Sequence, residues 1–183
     1  KDGHHPIIYM QCGPLRHCVN AKQQAATRPF VHTVIVRPTN FRAHDVPDAD
    51  QRIEFHRLYG ALVADSVRNQ MICDDCLSVV REGRSPLLLT ERVEHLQQLA
   101  QCLSHKIPCL TVLQGGMGRK ELELATAQMT ASPANPQLVL LSTGKYIGEG
   151  FDDSRLDTLL LALPVSWRGT IAQYVGRLHR LQA

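Results

Sequence analysis

The chain has 183 residues, 44% of them hydrophobic and 20% charged, which suits one domain with a buried core and excludes disordered or collagen-like chains. No window approaches the roughly eighteen consecutive apolar residues of a membrane-spanning helix. The formal charge of +3 is too slight to announce nucleic acid by itself, so any basic site has to be local.

The opening KDGHHPIIYM has no signal-peptide pattern, so a reducing, cytoplasmic setting is expected for the six cysteines. The chain lacks an initiator Met and stops at HRLQA just after a helical pattern, which reads as a fragment of a longer protein. Residues 7–10 and 15–19 are expected to pair as a hairpin around Gly13 and Pro14, residues 20–27 to form a short helix, and residues 31–36 (VHTVIV) to supply a strand. Residues 41–52 read as a polar, Pro-containing linker, and residues 58–80 as one long helix ended at Gly83. Cys73 and Cys76 form a CxxC inside that helix, but Cys12 and Cys18 are too widely spaced to complete a zinc site. Thiols at i and i+3 share a helix face, so these two are expected to pack, and no metal site is expected.

From Ser85 onward a short apolar run, a turn and a helix-period segment recur, which is the pattern of βαβ units. Residues 86–89 (PLLL) lead into a helix at 91–103, and 109–113 (CLTVL) lead through Gly115 and Gly116 into a helix at 119–129. Two further apolar runs follow, 138–141 (LVLL) and 159–163 (LLLAL), and Thr170 is a candidate N-cap for a last helix reaching about Leu181. Wholly apolar strands predict a mainly parallel sheet of about five strands with helices on both faces.

In such sheets ligands sit where loops leave the carboxyl ends of the strands. That rule selects the loops at 90–92, 114–119, 143–152 and 164–168, and glycine is concentrated in the second and third. Gly-rich loops entering helix N-termini favour phosphate, although plain tight turning also asks for glycine. On the last helix Ile171, Tyr174, Val175, Leu178 and Leu181 share one side, while Gln173, Arg177 and Arg180 share the other. Gly176 stands in the interior of that helix, where it costs roughly 1 kcal/mol against Ala, and close approach of another surface is one reason for it.

The run QYVGRLHR from Gln173 to Arg180 matches QxxGRxxR and resembles motif VI of superfamily-two helicases. Residues 143–152 are similar to the motif V of that family and residues 86–90 to its motif IV, in the order the family requires. The wording TGKYIGEGFDD, SWRGT and GRLHR looks most like DEAD/DEAH-box helicases of the bacterial restriction-subunit type. The resemblance implies a RecA-like lobe in which Arg177, Arg180 and Gln173 face the γ-phosphate of ATP held by a partner lobe. It also implies that Gly150 and Asp152 lie at the ATP, and that the loops of Thr90, Gly115, Gly116 and Thr143 contact a nucleic-acid backbone. Arg119 and Lys145 join the nucleic-acid set from their charge and position.

Six residues separate Thr143 from Gly150, one more than in the commonest motif V, and nothing matches GxxxxGK[ST] or an Asp-Glu pair. ATP and Mg²⁺ are therefore expected to be held mainly by a first lobe that this sequence does not contain. The expected plan is an irregular segment at 1–42 linking from that lobe and a helicase C-terminal RecA-like domain at 43–183. The expected function is the second motor lobe of a nucleic-acid-dependent ATPase acting on DNA or RNA, enzymatically active in the full-length protein and inactive as this chain alone. The alternative is a stand-alone α/β module that binds a nucleotide or phosphate without hydrolysis.

Overall fold

The computed structural model describes residues 5–14, 16, 33–42, 51–130, 138–144, 153–165, 171 and 174–175. The chain divides into two compact units, Lys1–Pro38 and Thr39–Ala183.

In the first unit the expected hairpin is replaced by helix α1, His5–Cys12. Pro6 lies in its first turn, where a missing N–H is no loss. Gly13 ends it with a left-handed φ of 80°, its N–H donating to the Tyr9 carbonyl at 2.9 Å, so Gly13-Pro14 is a helix stop and not a hairpin turn. The strand expected at 31–36 is also absent over its described part. Residues 33–36 form no strand among the described residues, and Val34, Ile35 and Val36 are 87%, 75% and 83% exposed. Valine and isoleucine favour strands because they fill a packed pleated surface, and among the described residues these three meet no such surface. The short helix expected at 20–27 lies outside the described residues.

The second unit opens with a correction, since the single long helix is two: α2, Gln51–Ala64, and α3, Ser66–Arg81. Asp65 interrupts them with an extended ψ of 98°, and its carboxylate accepts the Arg68 N–H at 3.0 Å as the N-cap of α3. The predicted stop holds, because Gly83 follows α3 with a φ of 83° and donates its N–H to the Val80 carbonyl.

The remaining elements follow the predicted alternation: β1 Pro86–Thr90, α4 Val93–Ser104, β2 Leu110–Leu113, α5 Arg119–Thr130, β3 Val139–Thr143 and β4 Thr158–Leu161. The four strands form one wholly parallel sheet in the order β2-β3-β1-β4, one strand fewer than expected among the described residues. Side chains alternate across it. Leu88, Val139 and Leu141 pack with Ile72, Cys73, Leu96, Leu99 and Leu103 from α3 and α4, while Leu87, Leu89, Leu113 and Leu140 pack on the opposite face with Ala125 and Met129 of α5 and with Tyr174. Burying strands on both faces explains their unbroken apolar runs. A smaller cluster joins Phe41, Leu58, Tyr59, Leu62 and Val63 to Leu163.

The cysteine pair packs. Cys73 and Cys76 are fully buried in the α3–α4 core, where desolvation raises both thiols, Cys76 to about 12.

Candidate functional site

Because all four strands run the same way, their carboxyl ends share one edge of the sheet. Thr90 and Thr143 are partners in register at that edge, and Leu113 pairs with Ser142 beside them. The structure thereby brings together the Thr90, Gly115, Gly116 and Thr143 loops, and the Gly115 N–H donates to Thr143 Oγ1 at 3.3 Å.

The Thr90 hydroxyl points into the protein. It lies 2.9 Å from His95 Nδ1, and His95 Nε2 lies 2.9 Å from Asn69 Oδ1. The Asn69 amide nitrogen donates to the Val63 carbonyl at 2.8 Å and reaches Gln98 Oε1 at 3.4 Å, which fixes its oxygen as the acceptor. His95 therefore carries its proton on Nε2 and accepts the Thr90 hydroxyl on Nδ1. The ring is completely buried, and burial, helped by the nearby Arg68 charge, lowers its pKa to about 4, so it is neutral at pH 7. Arg68 bonds the Ala162 carbonyl just past β4, while its Nη1 is buried with no partner. Desolvation lowers Arg68, against the opposing pull of Asp65.

The loop after β2 is built differently. Gly116 has a φ of 93°, and a Cβ at Gly115 or Gly116 would meet nothing within 4 Å, so both face open space. Gly118 precedes α5 and accepts the Leu122 N–H at 3.0 Å, while its own N–H donates to Glu121 Oε2 at 2.9 Å. A carboxylate of the chain thus takes the helix-terminal donor that the glycine pattern suggested for phosphate, in the manner of a capping box. Arg119 is the first residue of α5.

After β3, Gly144 is buried, and a Cβ there would collide with the Tyr174 hydroxyl and come within 2.6 Å of Glu91 Oε1. Glycine at this position lets three segments close on one spot. Ile171, Tyr174 and Val175 are helical, and Tyr174 is buried against the sheet core, as the predicted apolar stripe of the last helix requires. Burial, with the Glu91 charge, raises the Tyr174 phenol. Gln173, Arg177, Arg180, Lys145, Gly150 and Asp152 lie outside the described residues.

Asp153 is engaged by Arg155, whose Nε and Nη2 reach its two oxygens at 3.0 and 2.7 Å. Burial acts to raise this carboxyl, but the bonds from Arg155 prevail and hold it below the usual range. Among the described residues no cluster of three metal-ligating side chains exists, and no helix is long and apolar enough to cross a membrane.

Sequence reasoning did not find His95, Asn69, Glu121 or the Gly144–Tyr174 contact. Only Glu121 left a signal, an acid at the third position after the helix-starting glycine.

A parallel sheet ordered β2-β3-β1-β4, covered on both faces and with its loops gathered at one edge, defines a RecA-like α/β domain. Among solved structures the chain is similar to T4 UvsW, with a TM-score of 0.55 and 11% identity over 72% of this chain and 26% of that one. It is also similar to the C-terminal part of the Fun30 ATPase domain, with a TM-score of 0.48 and 16% identity over 56% of this chain and 33% of that one. At 11% identity the likeness to UvsW is one of fold, and the chain spans 26% of that protein's length. No family model and no curated protein sequence matches the chain.

Proposed function

We propose that this chain is the second motor lobe of a nucleic-acid-dependent ATPase of the helicase class, with the restriction-subunit-like DEAD/DEAH-box type as its nearest resemblance. One observation carries the reading. The segments resembling motifs IV, V and VI converge at Gly144, where Glu91 follows the first, Gly144 belongs to the second and Tyr174 to the third. Such convergence is what a lobe needs if one edge is to couple a nucleotide to a strand. The RecA-like fold shared with part of UvsW supports the same reading.

In this reading Arg177 and Arg180, with Gln173, project from the polar side of the last helix toward ATP held on a first lobe. The guanidinium groups stabilise charge on the transferring phosphoryl group, an effect worth 10³ to 10⁵ in rate for arginines supplied across an interface. Gly150 and Asp152 stand near the nucleotide. The loops of Thr90, Gly115, Gly116 and Thr143, with Arg119 and Lys145, follow the backbone of DNA or RNA. Mg²⁺ is assigned to the first lobe, because this sequence has no P-loop and, among the described residues, Asp153 is committed to Arg155. A stand-alone phosphate-binding module is disfavoured by Glu121, whose carboxylate takes the Gly118 N–H at the start of α5.

The test is made in the protein carrying both lobes. Arg177→Ala and Arg180→Ala should each lower nucleic-acid-stimulated ATPase by at least one to three orders of magnitude with little change in melting temperature, and lysine should not rescue either. Near-normal turnover in both alanine variants would reduce the arginine side to a solvated helix face.

A further inference from the structure

We propose that the anion-contacting group of the β1 loop is the guanidinium of Arg92, held by His56 and Tyr59 of α2, and that its ligand is a phosphodiester of a nucleic-acid strand. The inference deepens the motor-lobe reading and rests on it.

The Thr90 side chain has no donor left to offer. Its single hydroxyl proton goes to His95, and its oxygen also lies 3.5 Å from the Arg92 N–H. Arg92, two residues further along the same loop, is partly exposed and keeps most of its donors. Its Nη1 donates to His56 Nε2 at 3.3 Å, and its guanidinium carbon lies 5.8 Å from the centroid of the Tyr59 ring. Tyr59 is fixed in turn, its hydroxyl donating to the Pro164 carbonyl at 2.8 Å. The imidazole and the phenol ring restrict the arginine without neutralising it.

Other arginines along the sheet are spent within the fold. Arg155 is bound by Asp153, Arg84 lies 3.6 Å from the Asp157 carboxylate, and Arg68 is turned to the Ala162 carbonyl. Arg92 makes no ion pair among the described residues. Of the neighbouring acids, Glu91 is at Gly144 and Glu94 is exposed in the first turn of α4. A guanidinium whose fork is oriented but uncompensated matches the planar, doubly accepting geometry of a phosphate. The loop that carries it lies on the same edge as the open Gly115–Gly116 turn, as a continuous strand would require.

The chain should be titrated with fluorescein-labelled single-stranded oligothymidylate at several salt concentrations. Arg92→Ala is expected to weaken binding about 3- to 30-fold and to reduce the slope of log affinity against log salt by about one, the signature of one lost phosphate contact. Arg92→Lys should keep the slope and recover only part of the affinity. Tyr59→Leu should weaken binding at unchanged slope, with Tyr59→Phe retaining the ring as its folded control. Melting temperature, followed in parallel, should hardly move for Arg92→Ala. An unchanged slope in a folded Arg92→Ala chain, or a slope that responds to Thr90→Val in its place, would overturn the assignment while leaving the motor-lobe reading intact. Wild-type chain that shows no salt-dependent binding would overturn both.

Discussion

Thr90 and Gly115 stand at the carboxyl edge of one sheet, on β1 and just past β2, with β3 between them, yet their polar groups face opposite fates. At Thr90 the side chain is drawn inward through His95 to Asn69, so the end of β1 is tied to α3 and α4 by buried hydrogen bonds. At Gly115 the backbone N–H donates to Thr143 Oγ1 at 3.3 Å, and a side chain at either glycine of the turn would meet open space. A shared edge therefore does not confer a shared role. One loop holds its neighbours in place and offers a charged side chain, while the other offers backbone.

The strongest way to break that contrast is to remove His95. His95→Ala should cost about 3 kcal/mol or more in urea unfolding, because it opens a cavity and orphans both the Thr90 hydroxyl and the Asn69 oxygen. The pH dependence has a definite sign. Folded His95 titrates at about 4, whereas an unfolded histidine takes its proton near pH 6.5, so between these values the unfolded state binds more protons. Stability is complete above about pH 6.5 and falls as pH drops toward about 4, by on the order of 3 kcal/mol. Unfolding at pH 7 and pH 5 should show about 2 kcal/mol of this loss in the wild type and a flatter profile in His95→Gln. Equal slopes would mean that the ring is not held neutral.

The glycine loop should give smaller numbers, and different ones at its two glycines. Gly116→Ala places a side chain at a φ of 93° and should cost about 1 to 2 kcal/mol, as left-handed backbone does for other residues. Gly115 has neither a positive φ nor a close neighbour, so Gly115→Ala should change stability by no more than about 0.5 kcal/mol. If oligothymidylate binding nevertheless falls in folded Gly115→Ala, a ligand is what needs the missing Cβ. If it does not, Gly115 is dispensable and the contrast with Thr90 weakens.

The parallel sheet was legible because residues 86–89 and 138–141 are apolar on both faces, too short for helices and bounded by turns, as strands of a sheet covered on both sides are. The N-terminal hairpin misled because Gly-Pro and a left-handed glycine punctuate helices as well as strands, and the bond from the Gly13 N–H to the Tyr9 carbonyl is what marks this one as a helix end. Asp65 concealed a helix break, since a capping aspartate between apolar periods leaves the 3.6-residue rhythm almost undisturbed. At the site, glycines and hydroxyls could be assigned to loops from their order along the chain. The His95–Asn69 bond could not, because its partners are 26 residues apart on different helices and neither departs from ordinary helix composition. Spacing reports which edge a residue reaches, whereas a hydroxyl's inward or outward commitment depends on tertiary neighbours.

The sheet order also bears on how the chain is made. β1 is central, but the strand that covers its second edge, β4, begins at Thr158, 72 residues after Pro86, with which it pairs. During synthesis from the N-terminus, a leucine-rich strand with one unsatisfied hydrogen-bonding edge waits for β4 to emerge. A nascent chain stalled between Thr143 and Thr158 would expose that ladder to other chains, so truncation in this interval should favour aggregation over a smaller soluble domain.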